Sequence, residues 1–187
     1  MSFTPIPDGR YFLGIDPSDS TRHALAARLE PWVDAVPGRR VRPPNWHLTL
    51  RFIGHVEGVA VERILGSLSR SDLPARFRMR LGRLGAFPRA GRATVLWVGV
   101  EADGEALGKL AAAAEEAVRA AGLPPEDRPF HAHVTLSRIR PARGVGSLLE
   151  MVPPTGVAWD VEAVTLFRSN LDRDGAWYQA VEQVMLR

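Results

Sequence analysis

Five histidines occur in this 187-residue chain, and two of them open the same four-residue frame, His47-Leu48-Thr49-Leu50 and His133-Val134-Thr135-Leu136. In an extended strand successive side chains point to opposite faces, so a His and a Thr two apart share one face and the residue between them takes the other. Each frame therefore offers an imidazole beside a hydroxyl. Two imidazoles facing one cleft can divide proton transfer, a neutral ring accepting and a protonated ring donating, because the ordinary histidine pKa is about 6.5. A threonine hydroxyl can donate to a non-bridging phosphate oxygen and support the charge of a phosphorane-like transition state. The chemistry that fits is displacement at a phosphodiester, and losing either imidazole is expected to cost on the order of 10² to 10⁴ in rate.

The frames lie 86 positions apart, and the segments that must position them repeat as well. Residues 11–16 (YFLGID) read as a strand, and Pro17, Ser18 and Asp19 suit a helix start. Leu25, Leu29, Trp32, Val33 and Val36 then fall at helical spacing, with Pro31 expected to interrupt them. In the second half, residues 93–101 read as a strand, Asp103 can cap, and Leu107, Leu110, Ala111, Ala114 and Val118 form a helical stripe ending at Gly122. Beyond the histidines, Val61, Ile64, Leu65 and Leu68 predict a helix with a shorter counterpart over 145–151. Half-buried strands at 77–81 and 157–161 hold matching places. Asp174-Gly175 marks a turn into a last strand near 177–185, and the loop at 88–92 holds the corresponding place in the first half. The expected fold is α+β and bilobal: two pseudo-twofold-related lobes, each with an antiparallel sheet and helices, flank a central cleft. Residues 1–187 then form one compact domain whose lobes interleave along the chain.

Composition narrows the classes. The chain has no cysteine, which excludes disulfides, thiolate nucleophiles and cysteine-ligated metals and fits a reducing compartment. No stretch reaches the roughly 20 apolar residues of a membrane helix, and the start lacks a charged and apolar leader pattern, so a cytoplasmic protein is expected. The net charge is +3, and Lys109 is the single lysine against many arginines. Arginine's planar fork suits phosphate, although a composition bias toward arginine explains the same count. No nucleophile elbow, P-loop or dinucleotide fingerprint appears.

The chain resembles the 2H phosphoesterases, specifically the LigT-like RNA 2′,3′-cyclic phosphodiesterases, also called 2′-5′ RNA ligases. The resemblance rests on RYFLGID, on PPNWHLTLRFIG (43–54), on LGRLGAFPRAGRATVLWVGV (81–100), and on RPFHAHVTLSRIR (128–140) with LFRSNLDRDGAWY (166–178). It implies a bilobal fold, no cofactor, no metal, and hydrolysis of RNA 2′,3′-cyclic phosphate ends to 2′-phosphomonoesters, with reversible 2′-5′ ligation in some members. It implies His47 as proton donor to the leaving 3′-oxygen and His133 as proton acceptor. Pseudo-symmetry keeps those two roles exchangeable on residue grounds alone. Thr49 and Thr135 would hold the phosphate, and Arg138 matches a phosphate-contacting arginine of the family.

Regular strand parity favours Arg51 instead, since it shares a face with His47 and Thr49, whereas Arg138 joins His133 and Thr135 only if the strand ends or bulges there; Arg138 ranks first because strand ends near sites are often irregular. Trp46, Phe130 and His131 are candidate base or ribose contacts, and His131-Ala132 stands where relatives often carry Arg-Pro. His23 and His55 read as structural or solvent-facing. Arg76, Arg78 and Arg80 line one strand face, as an RNA track or a solvated face, and Arg89 and Arg92 could approach the cleft rim. The partners expected are RNA or tRNA fragments with cyclic phosphate ends and small cyclic nucleotides, bound by a monomer. Alternatives are an RNA-end binding module with little turnover, or the same chemistry on 2′-5′ oligonucleotides or an ADP-ribose cyclic phosphate.

Overall fold

Ser18 opens the first helix, its hydroxyl accepting from the Thr21 N–H at 3.2 Å while Asp19 faces the positive end of the helix dipole. Pro31, which lacks an N–H and clashes with the preceding turn, stops that helix at Leu29, and the chain continues as a 3-10 turn over Glu30–Ala35. A computed structural model describes residues 5–102, 104–172 and 175–187; Asp103 and Asp174, assigned above to a cap and a turn, lie outside the described residues. Elements follow in the order β1 (Gly9–Ile15), α1 (Asp19–Leu29), β2 (Arg39–Arg40), β3 (Leu48–Val56), α2 (Gly58–Arg70), β4 (Phe77–Phe87) and β5 (Ala93–Ala102). Then come α3 (Ala106–Ala120), β6 (His133–Arg143), α4 (Gly146–Met151), β7 (Ala158–Val161), β8 (Ala163–Asp172) and β9 (Gly175–Met185).

All strand pairs are antiparallel, and the sheet order is β7-β4-β5-β6-β3-β1-β8-β9, with β2 pairing β6 from outside that path. Read outward from the centre, β3-β1-β8-β9 mirrors β6-β5-β4-β7. The two halves meet at a single residue pair, Leu48 with Val134, the apolar residues between each His and Thr. Each half borrows strands from the other half of the chain, so the strands expected at 77–81 and 157–161, which overlap β4 and β7, are neighbours rather than counterparts. Phe77 pairs with Val161 and Met79 with Trp159. The counterpart of β4 is β8, whose hairpin with β9 closes the opposite edge.

Two helices pack on the sheet and on each other. Val61, Ile64 and Leu68 of α2 and Leu107, Leu110, Ala114 and Val118 of α3 are buried, as their spacing predicts, and α3 packs on β3 and on α2. No described helix is long and apolar enough to cross a membrane.

Candidate active site

Both His-Thr frames end in the same backbone irregularity. In β3, Gly14 pairs with Thr49 and Leu13 with Arg51, leaving Leu50 as an extra residue. In β6, Trp97 pairs with Thr135 and Leu96 with Ser137, leaving Leu136 as the extra one. Such a bulge reverses the alternation of faces. Leu50 and Arg51 are therefore buried consecutively, as are Leu136 and Ser137, and the next residues, Phe52 and Arg138, emerge exposed. The face carrying His133 and Thr135 thus continues to Arg138, while the face carrying His47 and Thr49 continues to Phe52.

Arg51 is accordingly removed from the phosphate-binding candidates. It is 8% exposed, paired with Glu115 of α3, and donates to the carbonyls of Phe52 and, at 2.5 Å, Pro124. Trp46 is likewise no base contact: it is 6% exposed and packs within the core, in the short segment that leads into β3. Phe130 is exposed in the segment before β6, and His131 lies beside Trp97 and Phe87 with its ring centroid 5.9 Å from that of His133. Arg78 pairs with Asp160 and Arg76 with Glu162, each at 3.1 Å, so these two arginines belong to a solvated, ion-paired face and not to an RNA track.

The two imidazoles are held alike. His47 Nδ1–H donates to the Asn45 carbonyl and His133 Nδ1–H to the His131 carbonyl, both at 2.7 Å. A carbonyl only accepts, so Nδ1 carries the hydrogen in each ring, and Nε2 is the nitrogen that exchanges a proton with a substrate. Around His47 stand Phe12 at 4.6 Å between ring centroids, Tyr178 edge-on at 4.7 Å and Phe167 at 5.6 Å. Around His133 stand Phe87 edge-on at 5.1 Å and Trp97 at 6.0 Å. The Trp97 ring lies over Gly85, where a Cβ would come within 2.1 Å of it, so only glycine admits the indole beside His133.

Asn45 ties the His47 frame to the far hairpin, donating to the Ala176 carbonyl at 2.9 Å and accepting from the Tyr178 N–H at 3.4 Å. Behind it, Arg22 pairs with Asp16 and Asp19 and reaches the Trp46 carbonyl at 3.5 Å. These supports were missed in the sequence because each joins residues from distant segments.

Burial lowers the pKa of His47 to about 4, with the cations of Arg138 and Arg22, and His133 whenever it is protonated, acting in the same direction and the Asn45 carbonyl against it. His133 is also lowered, first by burial and then by His131 and Arg138, with the His131 carbonyl opposing. Arg138 thus bears on both rings, and the two lowered values favour neutral imidazoles. An anion beside Arg138 offsets that cation and lets one ring take up a proton.

These features agree with what the chain is similar to. The family described as LigT like Phosphoesterase matches twice, at residues 15–97 and 98–178, once for each frame. An RNA 2′,3′-cyclic phosphodiesterase of Aeropyrum pernix is 38% identical over 154 residues, covering 80% of this chain and 86% of its own length. Another of that name from Aquifex aeolicus is 33% identical over 188 residues, covering 95% and 97%. The crystal structure of Escherichia coli LigT complexed with 3′-AMP superposes with a TM-score of 0.81 at 25% identity, covering 96% of this chain and 98% of that one. Two tandem matches, each carrying a His-Thr frame on an equivalent bulged strand, place this chain in the LigT-like phosphoesterase family.

Proposed function

We propose that this protein hydrolyses the 2′,3′-cyclic phosphate ends of RNA to 2′-phosphomonoesters, and that small nucleoside cyclic phosphates are also substrates. The observation that carries the reading is the pair of imidazoles with Nδ1 tied to a carbonyl and with the charge of Arg138 bearing on both. In the proposed reaction His133 Nε2 takes a proton from water, whose oxygen attacks phosphorus. The bond from phosphorus to the 3′-oxygen breaks, and His47 Nε2–H protonates that oxygen, leaving a 3′-hydroxyl and a 2′-phosphate. Thr49 and Thr135 donate to the non-bridging oxygens, and Arg138 neutralises the charge developing there. An RNA 5′-hydroxyl replacing water gives 2′-5′ ligation with the same residues.

The halves exchange strands, so neither can bury its sheet alone, which supports one compact domain; a monomer acting in the cytoplasm is part of the same proposal. Phe52, 46% exposed beside Phe12, offers a flat face to the nucleobase, and His131 lies within reach of the ribose. The test is a product assay with adenosine 2′,3′-cyclic phosphate in EDTA. Adenosine 2′-phosphate is the expected product, formed on the order of 10² to 10⁴ times more slowly in His47→Ala and in His133→Ala. An unchanged substrate, or an undiminished rate in either variant, overturns the reading, and tight salt-dependent RNA binding without turnover favours a binding module instead.

A further inference from the structure

β2 is only two residues long, yet several contacts fix it against β6. The Ser137 hydroxyl donates to the carbonyls of Pro37 and, at 3.2 Å, Arg39, and the Val41 N–H donates to the Leu136 carbonyl at 2.8 Å. Gly38 has φ +80°, and a Cβ there would lie 2.5 Å from the Arg138 carbonyl oxygen, so the close approach depends on glycine. The register sets Arg39 opposite Arg138 and Arg40 opposite Ser137. Directly opposed residues of an antiparallel pair share a face with Cβ atoms about 4.5–5.5 Å apart. Arg40 turns to the other side, donating to the Val33 carbonyl at 3.0 Å.

Arg39 remains exposed on the face of Arg138, and its guanidinium reaches the start of β9, where a Cβ on Gly175 would lie 2.5 Å from its Nη1. The next residue, Ala176, holds Asn45 and through it His47. Arg39 therefore spans from the strand of one histidine toward the support of the other. Like charges set directly opposite each other oppose strand pairing, and bound anions relieve that opposition.

We propose that Arg39 and Arg138 form a two-phosphate track: Arg138 takes the reacting cyclic phosphate, and Arg39 takes the phosphate on the 5′ side of the same nucleoside. The inference rests on the reaction proposed above and adds a substrate preference, for an RNA end over a lone nucleoside cyclic phosphate. The experiment compares adenosine 2′,3′-cyclic phosphate with the same compound carrying a 5′-phosphate. A charge-assisted contact of ordinary strength gives the 5′-phosphorylated compound about a tenfold higher kcat/KM, and added salt shrinks that ratio. Arg39→Gln brings the ratio to about one. Arg39→Lys keeps the charge without the fork and lowers it about threefold, so it serves as the readout if the glutamine variant does not fold. A wild-type enzyme that turns over both compounds without preference, or a variant that keeps the full ratio, overturns the track. A wild-type enzyme that turns over neither overturns the reaction itself.

Discussion

Replacing His47 by glutamine should make the fold less sensitive to acid. In the folded chain this ring binds a proton only near pH 4, against an ordinary value of 6.5, because burial and the neighbouring cations disfavour its charged form. Between those values the unfolded chain takes up a proton that the folded chain refuses. The stability due to neutral His47 is therefore complete above about pH 6.5 and lost as the pH falls toward about 4. At about 1.36 kcal/mol per pKa unit the full effect is about 3.4 kcal/mol, of which about 2.5 kcal/mol falls between pH 7.5 and pH 4.5.

Urea unfolding followed by tryptophan fluorescence at those two pH values measures it, with five tryptophans supplying the signal. His133 and the carboxylates titrate in both proteins, so the quantity to read is the difference: the wild type should lose about 2.5 kcal/mol more than His47→Gln. Equal losses, or an imidazole NMR titration that places His47 at its ordinary value, refute the reasoning. Inorganic phosphate should then raise the His47 pKa in the same titration, since an anion at Arg138 offsets one of the cations that hold it down.

Arg138→Gln should lower kcat/KM for a cyclic phosphate by about 10- to 100-fold, the worth of one charge-assisted contact, while making both histidines easier to protonate; rates and NMR titrations read the two effects. Arg51→Met should act on the fold instead, leaving Glu115 without its partner and destabilising by about 3 kcal/mol in urea. Phe52→Ala should lower kcat/KM for adenosine 2′,3′-cyclic phosphate by about tenfold through lost stacking, with little change for a ribose 2′,3′-cyclic phosphate that carries no base.

The four motif residues were legible because a His and a Thr two apart need only a local strand to meet. The helices were legible from their buried stripes. Strand partnership was not, since β4 leaves its own half of the chain to join β5 and β7, and no local pattern records that exchange. The bulge of β6 had a signal that a strict period of two passes over: apolar residues fall at 134 and 136 and then at 139, a step of three that shifts the strand by one face and brings Arg138 into the cleft. The bulge of β3 had none, because Phe52 continues the period of two from Leu48 and Leu50 and hides the shift that takes Arg51 out of the cleft.

The same step exposes where the two halves of a duplicated site differ. Five residues after each histidine the chain reaches the cleft face, with Phe52 on one side and Arg138 on the other. An aromatic wall and a cationic wall give the cleft a direction, and the proposed reaction would set the base of a nucleoside cyclic phosphate toward Phe52 and its non-bridging oxygens toward Arg138. His47 would then stand on the ribose side, to protonate the leaving 3′-oxygen, and His133 on the side of the attacking water. A substrate whose leaving group needs no proton tests that division. On a 3′-deoxynucleoside 2′-(p-nitrophenyl phosphate), His47→Gln should recover most of the wild-type rate and His133→Gln should not, because p-nitrophenolate departs unprotonated while the water still needs a base. Recovery in His133→Gln alone would reverse the two roles and with them the direction in which the substrate lies.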